Sequence, residues 1–155
     1  MTLQPGEKIS LPQVAMTSNK IFTLDDYRGN YLVIYFYPKD STPGCTTESI
    51  GFTDHYNDFA KVNAIIFGVS KDTLNSHEKF KAKYHMPFEL IADTEKALCE
   101  AFAVLKEKSM FGKKYMGIER STFVIDMEGK LIKEWRKVKV PGHVEEVLAF
   151  IRNLK

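Results

Sequence analysis

Seven consecutive apolar or aromatic residues, Tyr31-Leu32-Val33-Ile34-Tyr35-Phe36-Tyr37, constrain this chain more than any other feature. A run this short, rich in β-branched and aromatic types, predicts a strand buried on both faces. Directly after it comes Pro38-Lys39-Asp40-Ser41-Thr42-Pro43-Gly44-Cys45-Thr46-Thr47-Glu48, and then a helical pattern. Counted from Cys45, the residues Phe52, Tyr56 and Phe59 lie 7, 11 and 14 positions on, steps that keep one helix face. The chain therefore passes from a buried strand to a helix running to about residue 61, with Cys45 near its start and pointing inward. Pro43-Gly44 supplies the turn that lets the helix begin. Thr46, Thr47 and Glu48 suit a first turn through hydroxyl capping and the helix dipole.

The remaining elements follow from periodicity and breakers. Residues 1–30 read as short strands and turns, with Ser18-Asn19-Lys20 turning into Ile21-Phe22-Thr23-Leu24. Ala64 to Ser70 is a second buried strand. Thr73 to Tyr84 is helical, with His77, Phe80 and Tyr84 one turn apart, and Pro87 ends it. Phe88 to Ala92 is a short strand, after which Asp93 or Thr94 caps a helix holding Leu98 and Phe102. Residues 106–119 read as a long basic loop, a solvated connection. Thr122 to Asp126 and Leu131 to Trp135 form a hairpin around Met127-Glu128-Gly129-Lys130, and a helix over 143–153 carries Val144, Val147, Leu148 and Ile151 on one face. Strands alternating with helices, then a hairpin and a helix, make an α/β fold with a central mixed β-sheet flanked by helices. Its active residues are expected at the carboxyl ends of central strands, where residues 38–45 fall.

At 155 residues the chain is expected to form one domain over 1–155. A net charge of +2 is too small to imply a nucleic-acid or anionic-membrane partner. The longest apolar run is far short of the roughly 20 residues a spanning helix needs. The first residues show no charged segment leading into an apolar stretch, so no secretory signal is expected. Two cysteines, Cys45 and Cys99, cannot make a disulfide framework, which points to a reducing cytoplasm. Neither a CxxC pair nor a Cys/His cluster at zinc spacing occurs, so no metal and no cofactor is expected.

Cys45 is where chemistry is legible. The first helical turn carries unpaired N–H groups and the positive end of the dipole. A thiol there loses its proton more readily, and the thiolate is the nucleophile. Local physics alone leaves open the alternative of a small, buried, inert cysteine in a capped helix. His55, His77, His85 and His143 are scattered through different elements, without a Cys or carboxylate partner at useful spacing, and receive no base or ligand role. Glu48 reads as an acid favourable with the helix dipole rather than as part of a network.

The spacing of Pro38, Thr42 and Cys45 resembles the active-site motif of peroxiredoxins, and the string PKDSTPGCTTE is similar to their bacterioferritin-comigratory, or PrxQ, subfamily. The likeness runs from Pro5-Gly6 through Phe67-Gly68-Val69-Ser70, Phe88 to Asp93 and Lys113 to Phe123, to Gly142-His143. It implies a thioredoxin-like fold and a thiol peroxidase for hydrogen peroxide and organic hydroperoxides, serving antioxidant defence. By this resemblance Cys45 becomes a sulfenic acid, Thr42 hydrogen-bonds the peroxide, Pro38 shields the thiolate from water, and Arg120 holds thiolate and peroxide together. The backbone N–H groups of Gly44 and Cys45 would act as donors. In many PrxQ proteins a second cysteine, five positions after the first or in the following helix, attacks the sulfenic acid. Here the first position is Ile50, the helix 73–84 has no cysteine, and Cys99 reads as a packing residue. A one-cysteine cycle is expected, resolved by an external thiol from thioredoxin, glutaredoxin or a small molecule. Because Cys45 faces inward, the turn 43–48 must unwind for recycling. The chain is expected to work as a monomer, with a weak dimer as the alternative. A thioredoxin-fold interaction protein or holdase is the competing reading, and a disulfide oxidoreductase is disfavoured by the missing CxxC.

Overall fold

A computed structural model describes residues 6–154. Pro5, the first residue of the family likeness, lies outside them. The buried run forms, over Tyr31–Phe36, an interior strand of a seven-stranded sheet. In chain order the sheet strands are β1 (Val14–Met16), β2 (Lys20–Phe22), β3 (Tyr31–Phe36), β4 (Ala64–Ser70), β5 (Glu89–Ala92), β8 (Ser121–Ile125) and β9 (Leu131–Trp135). Their spatial order is β2-β1-β5-β4-β3-β8-β9. The pairs β3/β4 and β4/β5 are parallel, and the pairs of β1 with β2 and β5, of β3 with β8, and of β8 with β9 are antiparallel. This is the mixed α/β sheet that the element order demands.

Alternation along β3 divides the interior into two layers. Leu32, Ile34 and Phe36 join a cluster with Phe22, Phe67, Phe123, Leu98, Cys99 and Phe102. Val33, Tyr35 and Tyr37 join the opposite one, with Cys45, Phe52, Phe59, Phe80, Val144 and Val147. The second layer is covered by α1 (Pro43–Asp54), α2 (Tyr56–Lys61), α3 (Leu74–Tyr84) and α5 (His143–Arg152), and the first by α4 (Ala97–Ala101). Both parallel crossovers, β3-α1-β4 and β4-α3-β5, run in one direction across the sheet, so their helices share a face.

Two expectations needed correction. The helix expected to run unbroken to residue 61 breaks at His55, whose ψ of 9° leaves the helical region. The His55 backbone N–H and ring Nδ1 both donate to Gly51 O, closing α1 before α2 starts. The basic segment 106–119 is mostly an antiparallel hairpin of β6 (Leu105–Met110) and β7 (Lys113–Ile118) standing apart from the main sheet. Its two-residue turn, Phe111-Gly112, has positive φ at both positions, the twist that suits a tight hairpin. Its base packs on the core through Leu105 and Ile118 while most of its other residues are exposed, so the strands show no apolar alternation. The cap expected at Asp93 or Thr94 comes from Asp93, whose carboxylate accepts from Leu98 N and Cys99 N at 3.1 and 2.8 Å.

Candidate active site

The parallel strand β3 ends at Phe36, and α1 starts at Pro43. Cys45 is the third residue of α1 and only 1% exposed. Thr42 is the N-cap residue, and its carbonyl accepts from Thr46 N at 2.8 Å, the first backbone N–H with a partner inside the helix turn. The N–H groups of Gly44 and Cys45 precede that bond and remain as the first-turn donors. The Thr42 hydroxyl donates to Lys39 O at 2.8 Å, which spends its proton on the loop and leaves its lone pairs as acceptors. Pro38 is half-buried between buried Tyr37 and exposed Lys39.

Arg120 arrives from the far end of the chain. Strand β8 pairs with β3 so that Ser121 stands opposite Phe36, which puts Arg120 at the exit of β3. Its Nη2 donates to Cys45 Sγ at 3.3 Å, and its Nη1 to Glu48 Oε1 at 2.6 Å. The guanidinium lies over Gly44, where a Cβ would stand 3.2 Å from Nη2. A side chain at position 44 would therefore press on the arginine.

The sequence predicts Glu48 as a favourable first-turn acid. Instead it sits a turn further in, fully buried, as the anchor of Arg120. Its Oε2 has no hydrogen-bond partner among the described residues. Burial pushes its carboxyl up to about 7, against the opposing pull of the Arg120 charge. Burial alone would lower Arg120, but the Glu48 carboxylate and the Cys45 sulfur outweigh it and raise it. The arginine thus keeps its charge and sets a fixed cation 3.3 Å from the sulfur. Only the third position after Cys45, on the same helix face, hinted at this from sequence.

Cys99 lies in α4 within the opposite core layer, so the sheet stands between the two free thiols. Burial, then the neighbouring Asp93, push its thiol well above the usual range, the reverse of activation. His143, without an assigned role in the sequence, is buried at the first position of α5, with Nε2 2.7 Å from Thr122 Oγ1. Burial lowers it to about 4, so it is a neutral packing group.

The assembled site is a buried thiol at a helix N-terminus, a guanidinium on its sulfur, and a hydroxyl acceptor three residues earlier. Such a site places hydrogen-bond donors and a fixed positive charge where charge develops on an oxygen beside the sulfur. The AhpC/TSA family model matches residues 5–134. Peroxiredoxin Bcp of Bacillus subtilis is 52% identical over 154 residues, covering 99% of this chain and 98% of that protein.

The chain is a peroxiredoxin of the AhpC/TSA family.

Solved structures agree. Peroxiredoxin Q of Xanthomonas campestris superposes with a TM-score of 0.89 at 47% identity, covering 94% of this chain and 96% of that one. The bacterioferritin comigratory protein of X. campestris, studied for alkyl peroxide reduction, superposes at 0.87 with 46% identity, covering 94% and 98%. These likenesses carry the thioredoxin-like fold and a thiol-dependent peroxidase activity. No helix among the described residues is long and apolar enough to cross a membrane.

Proposed function

We propose that this peroxiredoxin reduces hydrogen peroxide and alkyl hydroperoxides at Cys45 in a one-cysteine cycle. The observation that carries the assignment is the 3.3 Å contact of Arg120 Nη2 with Cys45 Sγ at the start of α1. The Cys45 thiolate attacks one peroxide oxygen, the O–O bond breaks, and sulfur becomes a sulfenic acid. The leaving oxygen departs as hydroxide or alkoxide, and its developing charge meets Arg120 and the N–H groups of Gly44 and Cys45. The Thr42 oxygen accepts a hydrogen bond from the peroxide and lines up the O–O bond, while Pro38 limits water access. An external thiol then displaces water from the sulfenic acid to form a mixed disulfide. A second thiol releases Cys45 and leaves an oxidised reductant.

The position of Cys99 across the sheet supports external resolution, and thioredoxin, glutaredoxin or a small thiol fits that role. Residues 1–155 act as one domain and as a monomer in this reading. A cytoplasmic setting suits a cycle that starts from a free buried thiol.

Stopped-flow mixing with one equivalent of peroxide, followed by intact-mass analysis, tests the proposal. Cys45→Ser abolishes peroxide consumption, Cys99→Ser leaves single-turnover oxidation intact, and the oxidised protein carries one added oxygen at Cys45. Peroxide turnover surviving Cys45→Ser, or a quantitative Cys45–Cys99 bridge, refutes it.

A further inference from the structure

The loop that carries Pro38 and Thr42 is tied down by a buried polar cluster that the reaction itself does not use. Asp40 is buried, and three side chains, one from the residue after β3 and two from α3, converge on its carboxylate. Tyr37 Oη donates to Oδ1 at 2.6 Å, Ser76 Oγ donates to Oδ2 at 2.8 Å, and His77 Nδ1 lies 2.7 Å from Oδ2. The Asp40 backbone N–H donates to Asp72 Oδ2 at 2.8 Å, and that oxygen also accepts from Ser70 Oγ at the end of β4. His77 has no solvent exposure, and its Nε2 faces Ile91 O in β5 at 2.9 Å.

A proton inventory shows what His77 does there. A carbonyl only accepts, so Nε2 carries a hydrogen. The other ring nitrogen faces a carboxylate oxygen at hydrogen-bond distance, so a further proton lies between Nδ1 and Asp40. With Tyr37 and Ser76 also donating, three side chains converge on the one carboxylate. His77 therefore bridges β5 to the loop through α3, one donor on each side. Asp40, Asp72 and His77 stand as close as ligands of a cation. A tetrahedral metal would hold the His nitrogen and carboxylate oxygen roughly 3.3 Å apart, further than they stand.

We propose that His77 is a positioning residue for peroxide reduction: acting through Asp40, it holds residues 38–42 in the conformation that presents the Thr42 hydroxyl at the entrance of α1. Asp40 sits two positions before Thr42, and Lys39, its neighbour, supplies the carbonyl that orients the Thr42 hydroxyl. Loss of the Nδ1 donor leaves a buried carboxylate short of a partner and frees the loop to shift. The thiol itself, in α1 under Arg120, stays where it is. The inference rests on the assignment of Cys45 and Thr42 to the reaction.

Two amides separate the roles of the two ring nitrogens. In His77→Asn the amide nitrogen stands where Nδ1 stands and still donates to Asp40. In His77→Gln it stands where Nε2 stands and serves only Ile91 O. The measurements are the rate of Cys45 oxidation by hydrogen peroxide and the rate of its alkylation by iodoacetamide. Misplacing a reaction partner by about 1 Å costs up to about 100-fold. We expect His77→Gln to lose about 10- to 100-fold with peroxide while alkylation stays within about threefold, and His77→Asn to stay near wild type in both. If His77→Gln does not fold, Tyr37→Phe, which removes one donor and keeps the ring, takes its place with the same expected split. A peroxide rate within about threefold of wild type in the variant used, equal losses in the Asn and Gln variants, or peroxide and alkylation rates falling together each overturn the inference. The wild-type peroxide rate is read in the same series. A Cys45 no faster than free cysteine would show that the underlying assignment, rather than the role of His77, had failed.

Discussion

The Glu48–Arg120 pair makes a quantitative prediction about stability and pH. Glu48 is 0% exposed, one carboxylate oxygen has no partner among the described residues, and its carboxyl rises from the ordinary 4.5 to about 7 in the fold. Burial is the largest cause, and Arg120 opposes it without cancelling it. A group raised in this way holds its proton in the folded chain after the unfolded chain has released it. Between these two values the folded state binds more protons, so the contribution of Glu48 to stability falls as pH rises, and is flat outside that window. At about 1.4 kcal/mol per pKa unit, the change across the window is on the order of 3 kcal/mol. Glu48→Gln removes the titration while keeping the shape and one acceptor for Arg120. Urea unfolding of both proteins at pH 4.5 and pH 8 measures the difference, since other titrating groups are shared and largely cancel. Relative to wild type, the variant gains about 3 kcal/mol on going from the lower to the higher pH, whatever its absolute stability. A wild-type-minus-variant difference that moves by less than about 1 kcal/mol shows that Arg120 and the surroundings solvate the carboxylate, and refutes the reasoning.

Two further outcomes follow from the same geometry. Because Cys45 is sealed at the start of α1, amide hydrogen exchange over residues 43–48 rises when Cys45 is oxidised, and unchanged protection would mean that the external thiol reaches the sulfur without unwinding. His143, held neutral by burial, contributes stability that is full above pH 6.5 and declines as pH falls toward about 4. Its ring resonances in an NMR titration stay flat from pH 8 to pH 5, and a midpoint near the ordinary 6.5 would count against a buried neutral ring.

Several features of this chain depend on partners that lie far along it. The hairpin β6/β7 has no apolar alternation, because its outer half is exposed, and its lysines look like a solvated loop. Glu48 carries a residue type that favours an early helical turn, and only the Arg120 guanidinium arriving 72 positions later changes its meaning. His77 has Glu78 beside it in the chain, yet the carboxylate it meets is Asp40, 37 positions away. The break at His55 is a local backbone choice that one apolar helix face does not reveal.

What the residue order settled by itself was local: a two-sided buried strand, a helix whose phase turns Cys45 inward, and the motif spacing of Pro38, Thr42 and Cys45. Those features depend on neighbours within a few turns, and period and breakers report them directly. The tertiary structure decided the electrostatics. The antiparallel pairing of β3 with β8 brings Arg120 to the sulfur, and the packing of α4 on the opposite face of the sheet puts Cys99 in the other layer. Coulomb and hydrogen-bond partners act through space over a few ångströms, so chain separation carries no trace of them until the strands pair.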